Sequence, residues 1–196
     1  MRPSPEQSLS ELLSDLAAPT PAPGAGSAAG WSCAHGAALV EMTAGITLAR
    51  PDAERVRERM SEIAARARAL RARSVQIAEA ELDAYAPVLA ALRASREDPG
   101  RVARLDAALS DASETPLELA AIGAELAALA AEVAGDGAAS VTGDALAGLL
   151  IAEAGCQAAA RLVAMNLDRH PADPRRGVAD QAAEQAAAIR QRALGR

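Results

Sequence analysis

Three groups of side chains are of a type and at a spacing that could do chemistry. The first lies in residues 19–42, PTPAPGAGSAAGWSCAHGAALVEM, where prolines lead into a glycine and serine turn and then an alanine-rich run that reaches Glu41. On a helical wheel started at Ser27, Trp31, Ala34, Ala38, Glu41 and Gly45 fall within about 40° of one line, so a carboxylate sits among small residues on one face. The second runs from Asp144: Gly148, Ile151, Gly155, Leu162 and Asn166 lie within about 40° of that acid. The third is His35, one turn after Trp31 and beside the first stripe. A carboxylate can accept hydrogen bonds from a nitrogen-rich ligand or carry a proton, and a histidine can shuttle one near neutral pH. An acid and an amide along a glycine stripe invite a ligand; close helix packing, with the acid at the helix N-terminus, explains the pattern equally well.

The glycine turn itself allows few readings. A Walker loop needs a lysine after its last glycine, whereas Gly30 is followed by Trp31. A dinucleotide fingerprint needs a strand before its glycines, and no strand pattern is present. What remains is a turn at Gly24, Gly26 and Ser27 that lets a ligand or a neighbouring backbone approach a helix N-terminus. Cys33 and His35, two apart on a helix, point to different sides, so no zinc site is expected. His170, next to Pro171, reads as a solvated loop residue.

The elements that must position these groups are helices. Hydrophobic residues make up 51% of the 196, yet there is no Phe and only Trp31 and Tyr85 are aromatic, so the apolar content is mostly alanine. Alanine is the strongest helix former. A Ser8 to Glu11 capping box opens a helix over 8–18, and prolines stop it. Further helices are expected over 27–48, over 52–93 with Pro87 inside, over 98–111, from Thr115 as N-cap through 134, over 142–168 and over 174–194. The expectation is an all-α, elongated up-and-down bundle in a single domain over 1–196, with one helix about 60 Å long. An alanine core is shallow per residue, so a second subunit is expected to cover leftover apolar faces. A net charge of −6 argues against nucleic-acid binding. Two distant cysteines, no leader pattern and no uninterrupted apolar span suggest a cytoplasmic protein off the membrane.

Four segments together carry a resemblance: PTPAPGAGSAAG with GAALVEM, then AEAELDAYAPVLAAL, then TPLELA, then VTGDALAGLLIAEAGCQAAARLVAMNL. In order and spacing, over about residues 8 to 168, they resemble the cyclodeaminase/cyclohydrolase family: the cyclodeaminase part of formiminotransferase-cyclodeaminase and its free-standing bacterial relatives. The resemblance implies a dimeric helical bundle acting on tetrahydrofolate derivatives, without metal or redox cofactor. Members close 5-formiminotetrahydrofolate to the 5,10-methenyl compound with loss of ammonia, or open the methenyl form with water. Motif matching places the family's site on Gly24, Gly26, Ser27, Glu41, Asp83, Asp144 and Asn166, with Asp144 and Asp83 as the catalytic carboxylates; His35, from its place beside the first stripe and not from the family's motif, is a further candidate substrate contact. Ala25 stands where the family has a third glycine, and Trp31, Cys33 and His35 replace small apolar residues. Two alternatives stay open: a divergent member acting on another cyclic amidine or formimino compound, and a non-catalytic helical dimer.

Overall fold

The computed structural model describes residues 7–195 and, at Leu82, the backbone alone. Residues 1–6 and 196, which the single-domain expectation included, lie outside the described ones. The elements are α1 (Leu9–Ala17), α2 (Ala25–Leu48), α3 (Arg57–Arg93), α4 (Arg101–Asp111), α5 (Glu114–Asp136), α6 (Thr142–Asn166) and α7 (Pro174–Leu194), with short 3-10 turns at Ala53–Arg55 and Ala139–Val141. No strand occurs among the described residues.

Local chemistry explains most boundaries. Ser8 and Glu11 form the expected reciprocal cap of α1, and Asp173 caps α7 by accepting from the Arg175 N–H. Between α2 and α3, the chain after Pro51 makes one 3-10 turn, so α3 begins at Arg57 rather than near 52. Its 37 residues then run on through Pro87, a length of about 55 Å. Helix α5 begins at Glu114, one residue ahead of Thr115, and no side chain caps it.

Along α3 the buried residues in one register are Met60, Ile63, Ala67, Leu70, Ser74, Ile77, Val88 and Ala91, with Ala78 buried beside them. They alternate by three and four, the seam of a helix packed on neighbours along its whole length. Position 81 falls in the same register and is a glutamate.

Helix α2 is central, against α3, α5 and α6. Contacts between named residues fix the directions. Arg59, Arg66 and Arg73 pair with Glu132, Glu125 and Glu118, so α3 and α5 run antiparallel with one ion pair per heptad. All three pairs are substantially exposed and set register more than stability.

The α6 stripe at Gly148 and Gly155 proves to be close packing rather than a ligand groove. A Cβ at Gly155 would stand 2.8 Å from Cys33 Sγ and 3.1 Å from the Ala29 carbonyl, and one at Gly148 would stand 3.1 Å from Leu39 Cβ. Across α5, a Cβ at Gly123 would meet Ala152 O at 2.9 Å and Cys156 Cβ at 2.7 Å. Small residues let backbones approach, which is how a core with so little aromatic bulk excludes space. Gly123→Ala therefore forces two helix backbones apart and is expected to cost about 1–3 kcal/mol, read as a lower midpoint in urea with unchanged slope.

Residues 139–166 are also long and apolar enough to cross a membrane, with mean hydropathy 1.4. That differs from the expectation that no segment passes such a test. Half of the window is buried, and α2, α5 and α7 pack on α6. Cys33 and Cys156 are free and fully buried. Burial pushes their thiols up to about 12 and about 11, so neither supplies a thiolate nucleophile near neutral pH.

Candidate active site

The N-terminal turn of α2 meets α3 and the start of α5 at one end of the bundle. Gly24 caps α2 in an extended conformation with no side-chain hydrogen bond. Gly26 is buried, and any side chain there would run into the carboxyl group of Glu81 on α3. Ser27 is fully buried and its hydroxyl donates to the Ala78 carbonyl of α3 at 2.9 Å. On the third side, the Thr115 hydroxyl donates to Glu81 Oε2 at 2.8 Å. Thr115 is thus not the N-cap that its sequence context suggests; its hydroxyl serves a carboxylate on another helix.

Glu81 is the group sequence reasoning missed. It is half-buried with a single carboxyl oxygen held by Thr115, and removal from water pushes its carboxyl above the usual range while that hydrogen bond pulls down. Desolvation disfavours the charged form, which makes this carboxyl a candidate for proton exchange. A signal did exist: position 81 continues the α3 seam, where every other described seam residue is apolar or serine. Asp83, two residues on, points away from that seam and is exposed.

The remaining candidates sort by position along α2. Gly24, Gly26, Ser27 and Asp83 lie at the Glu81 end. So does Asn166, whose side chain donates to the Ala112 carbonyl just before α5, a tie between helices rather than a displayed amide. Asp144, exposed in the first turn of α6, lies at the other end. Because Gly148 packs beside Gly36 and Leu39 while Gly26 faces Glu81, about 16 residues of α2, roughly 24 Å, separate Asp144 from Asp83 within one protomer. The two acids selected from sequence do not share a site in a single chain; the antiparallel direction of α6, not its sequence, decides this.

Glu41 is clamped, accepting from Arg68 Nε at 2.7 Å and Arg71 Nε at 3.0 Å. The Arg68 hydrogen bond foremost holds its carboxyl below the ordinary range. It is a fixed anion, unsuited to proton transfer.

His35 is exposed, with Nδ1 2.7 Å from the Trp31 carbonyl. A carbonyl only accepts, so Nδ1 carries the hydrogen of this bond. Trp31, Ala34, His35, Ala38 and Arg71 line a groove of about 620 Å³ roofed by the leucines of α1. A second groove of about 690 Å³ continues past Ala38 and Arg71 to Glu41 and Gly45. The α2 stripe found on the helical wheel is the floor of these grooves. Among the described residues, no three histidine, cysteine or acidic side chains cluster to hold a metal. His170 pairs with Asp106 of α4 at 2.8 Å, tying the loop before α7 to that helix.

Comparison with known proteins adds three findings. The family model described as formiminotransferase-cyclodeaminase matches residues 8–187. A methenyltetrahydrofolate cyclohydrolase of Methylorubrum extorquens is 30% identical over 164 residues, which are 82% of this chain and 79% of that protein. The crystal structure of a formiminotetrahydrofolate cyclodeaminase from Thermotoga maritima superposes with a TM-score of 0.84 at 24% identity, covering 97% of this chain and 95% of that one, and shows a shared fold.

Proposed function

The chain belongs to the formiminotransferase-cyclodeaminase family, and from that premise we propose that it acts on the one-carbon unit bridging N5 and N10 of tetrahydrofolate, opening the 5,10-methenyl form with water. The observation that carries this reading is the half-buried carboxyl of Glu81 against the Gly24–Gly26 turn. The 30% identical cyclohydrolase favours the hydrolytic direction. The cyclodeaminase reaction is the second reading, because it passes through a tetrahedral carbon between the same two nitrogens and also needs a proton carrier there, to take the N10 proton and protonate the departing ammonia as the C–N10 bond forms and the C–NH2 bond breaks.

In the hydrolytic direction, ionised Glu81 takes a proton from water as its oxygen bonds to the methenyl carbon. The resulting carboxylic acid returns that proton to N5 as the C–N5 bond breaks, and the hydroxyl proton leaves as the formyl carbonyl forms on N10. One proton is released overall, and the carbon keeps its oxidation state, so the proposal includes neither a metal nor a redox cofactor. Thr115 orients the carboxyl by its hydrogen bond. A group of this kind contributes about 10² to 10⁴ in rate. The turn's compactness matters because a carboxyl displaced by an ångström loses much of that.

The same reading has the enzyme as a cytoplasmic homodimer. Exposed Met42 and Ile46 on α2 and Leu150 on α6 support a second copy, and two free thiols suit a reducing compartment. Light scattering on the purified chain should give twice the monomer mass; a monomer at micromolar concentration would remove this part.

The test follows the methenyl chromophore with purified protein, once from 5,10-methenyltetrahydrofolate and once from 5-formiminotetrahydrofolate. Accelerated loss from the first is expected; appearance from the second marks the cyclodeaminase. Neither rate exceeding the protein-free control would end the folate assignment. Asp144→Asn run alongside is expected to keep most of the rate, since that acid stands far from Glu81 within the protomer; a collapse there would return the acid to position 144.

A further inference from the structure

The groove roofed by α1 takes no part in the proton transfers assigned to Glu81, yet it begins beside that end of α2. Resting on the folate reading above, we propose that it holds the aminobenzoyl-glutamate half of the substrate, with a tail carboxylate on Arg71 and Arg68.

Shape and charge both support this occupant. The floor is Ala34 and Ala38 and one wall is Trp31, facing Leu12 and Leu16 of α1. Small and apolar residues with an indole among them suit an aromatic ring. At the far end, Glu41 is one carboxylate shared by two guanidiniums, so this trio carries one net positive charge in a chain of net charge −6. Each arginine meets Glu41 through Nε. A guanidinium has five donors in a fork matched to carboxylates, so that contact leaves most of the fork for a second anion.

The groove also has a direction. Glu79 lines it too, eight residues from Arg71 along α3, which is about 12 Å towards the Glu81 end. Cationic at one end and anionic at the other, the groove orients an anion-tailed ligand with its tail at Arg71 and its remaining half towards Gly26 and Glu81. Glu41 is then an organiser of the tail site, which accounts for a carboxylate held ionised on the α2 stripe without a proton to move.

Trp31, the single tryptophan of the chain, reports occupancy directly. Titrating p-aminobenzoyl-glutamate into the full chain should give a saturable change in Trp31 fluorescence. Arg71→Gln should weaken that binding about tenfold, the lower end of what a charge-assisted hydrogen bond contributes, because the arginine is partly solvent-screened. The same variant should raise KM for the methenyl substrate about tenfold at unchanged kcat. Glu41→Gln should tighten binding several-fold by doubling the local positive charge, a direction that mere loss of structural support would not produce.

No saturable change with the wild-type chain, Arg71→Gln binding as tightly as wild type, or Glu41→Gln weakening binding would each overturn the proposal. Turnover of folate by a protein that gives no fluorescence change removes the groove and leaves the reaction. A saturable change lost in Arg71→Gln, without turnover of either folate, keeps an aryl-carboxylate site and removes the reaction.

Discussion

Glu81→Gln is expected to lower kcat about 10² to 10⁴-fold while leaving the fold intact, the signature of a lost proton carrier. Glutamine preserves shape and still accepts from the Thr115 hydroxyl, so α3 and α5 stay tied at this point. The stability side has a definite sign. Burial raises the Glu81 carboxyl in the folded state. The stability this group confers is therefore fully present below the ordinary carboxylate pKa and is lost as pH rises through the folded value. At neutral pH the wild type keeps a partly desolvated charge that glutamine lacks, so the variant should melt at or above the wild-type temperature. Activity and stability then move in opposite directions, which a purely architectural role would not produce. A variant that lost activity and melted far lower would place Glu81 in the scaffold instead. The pH profile adds a second reading: kcat/KM should rise as Glu81 ionises, and Thr115→Ala, by removing the hydrogen bond that pulls the carboxyl down, should move that limb to higher pH.

Gly26→Ala should come close to this loss of activity by a different route. The added methyl overlaps the carboxyl of Glu81, which ends a flexible side chain and can swing aside without moving either helix. Helical backbone at this position accepts alanine, so stability should change by less than about 1 kcal/mol. Displacing a proton carrier by about an ångström, however, costs on the order of 10²-fold in rate. Combined with Glu81→Gln, the alanine should add little, because both changes remove one function and neighbouring sites are not additive. Independent, multiplying effects measured from initial rates of the double variant would mean that Gly26 acts on the substrate directly rather than through Glu81.

Residue types alone carried the secondary structure a long way. An alanine-rich chain with no phenylalanine had only helices open to it, and the prolines at 19, 21, 23 and 51 mark breaks that the structure keeps. These are short-range effects, set within a turn or two of each residue. The helical wheel also identified the exposed stripe of α2, since which residues share a face of a single helix depends on nothing beyond that helix.

Which stripes face one another belongs to a different level. Gly148 and Gly155 on α6 had the same appearance as the α2 stripe, yet they are buried against Gly36, Ala29 and Cys33, while the α2 stripe is left to line grooves. Local pattern is silent on the partner, because small residues serve a ligand and a neighbouring backbone equally well. Thr115 shows the same limit: its hydroxyl has the spacing of a cap, but the proximity of α3 gives it a carboxylate to hold.

The choice of acid shows both levels at once. The sequence by itself determined that the carboxylate at position 81 interrupts an apolar seam at three- and four-residue intervals, an anomaly readable without coordinates. Helix geometry also puts Asp83, two residues on, off that seam, whereas only the tertiary structure decided that the seam passes the glycine turn of α2 and that antiparallel packing carries Asp144 to the opposite end. The physical reason is range: a helix's own geometry fixes which side chains lie together on it, whereas the meeting of distant helices follows from how their surfaces close-pack, which no single helix encodes.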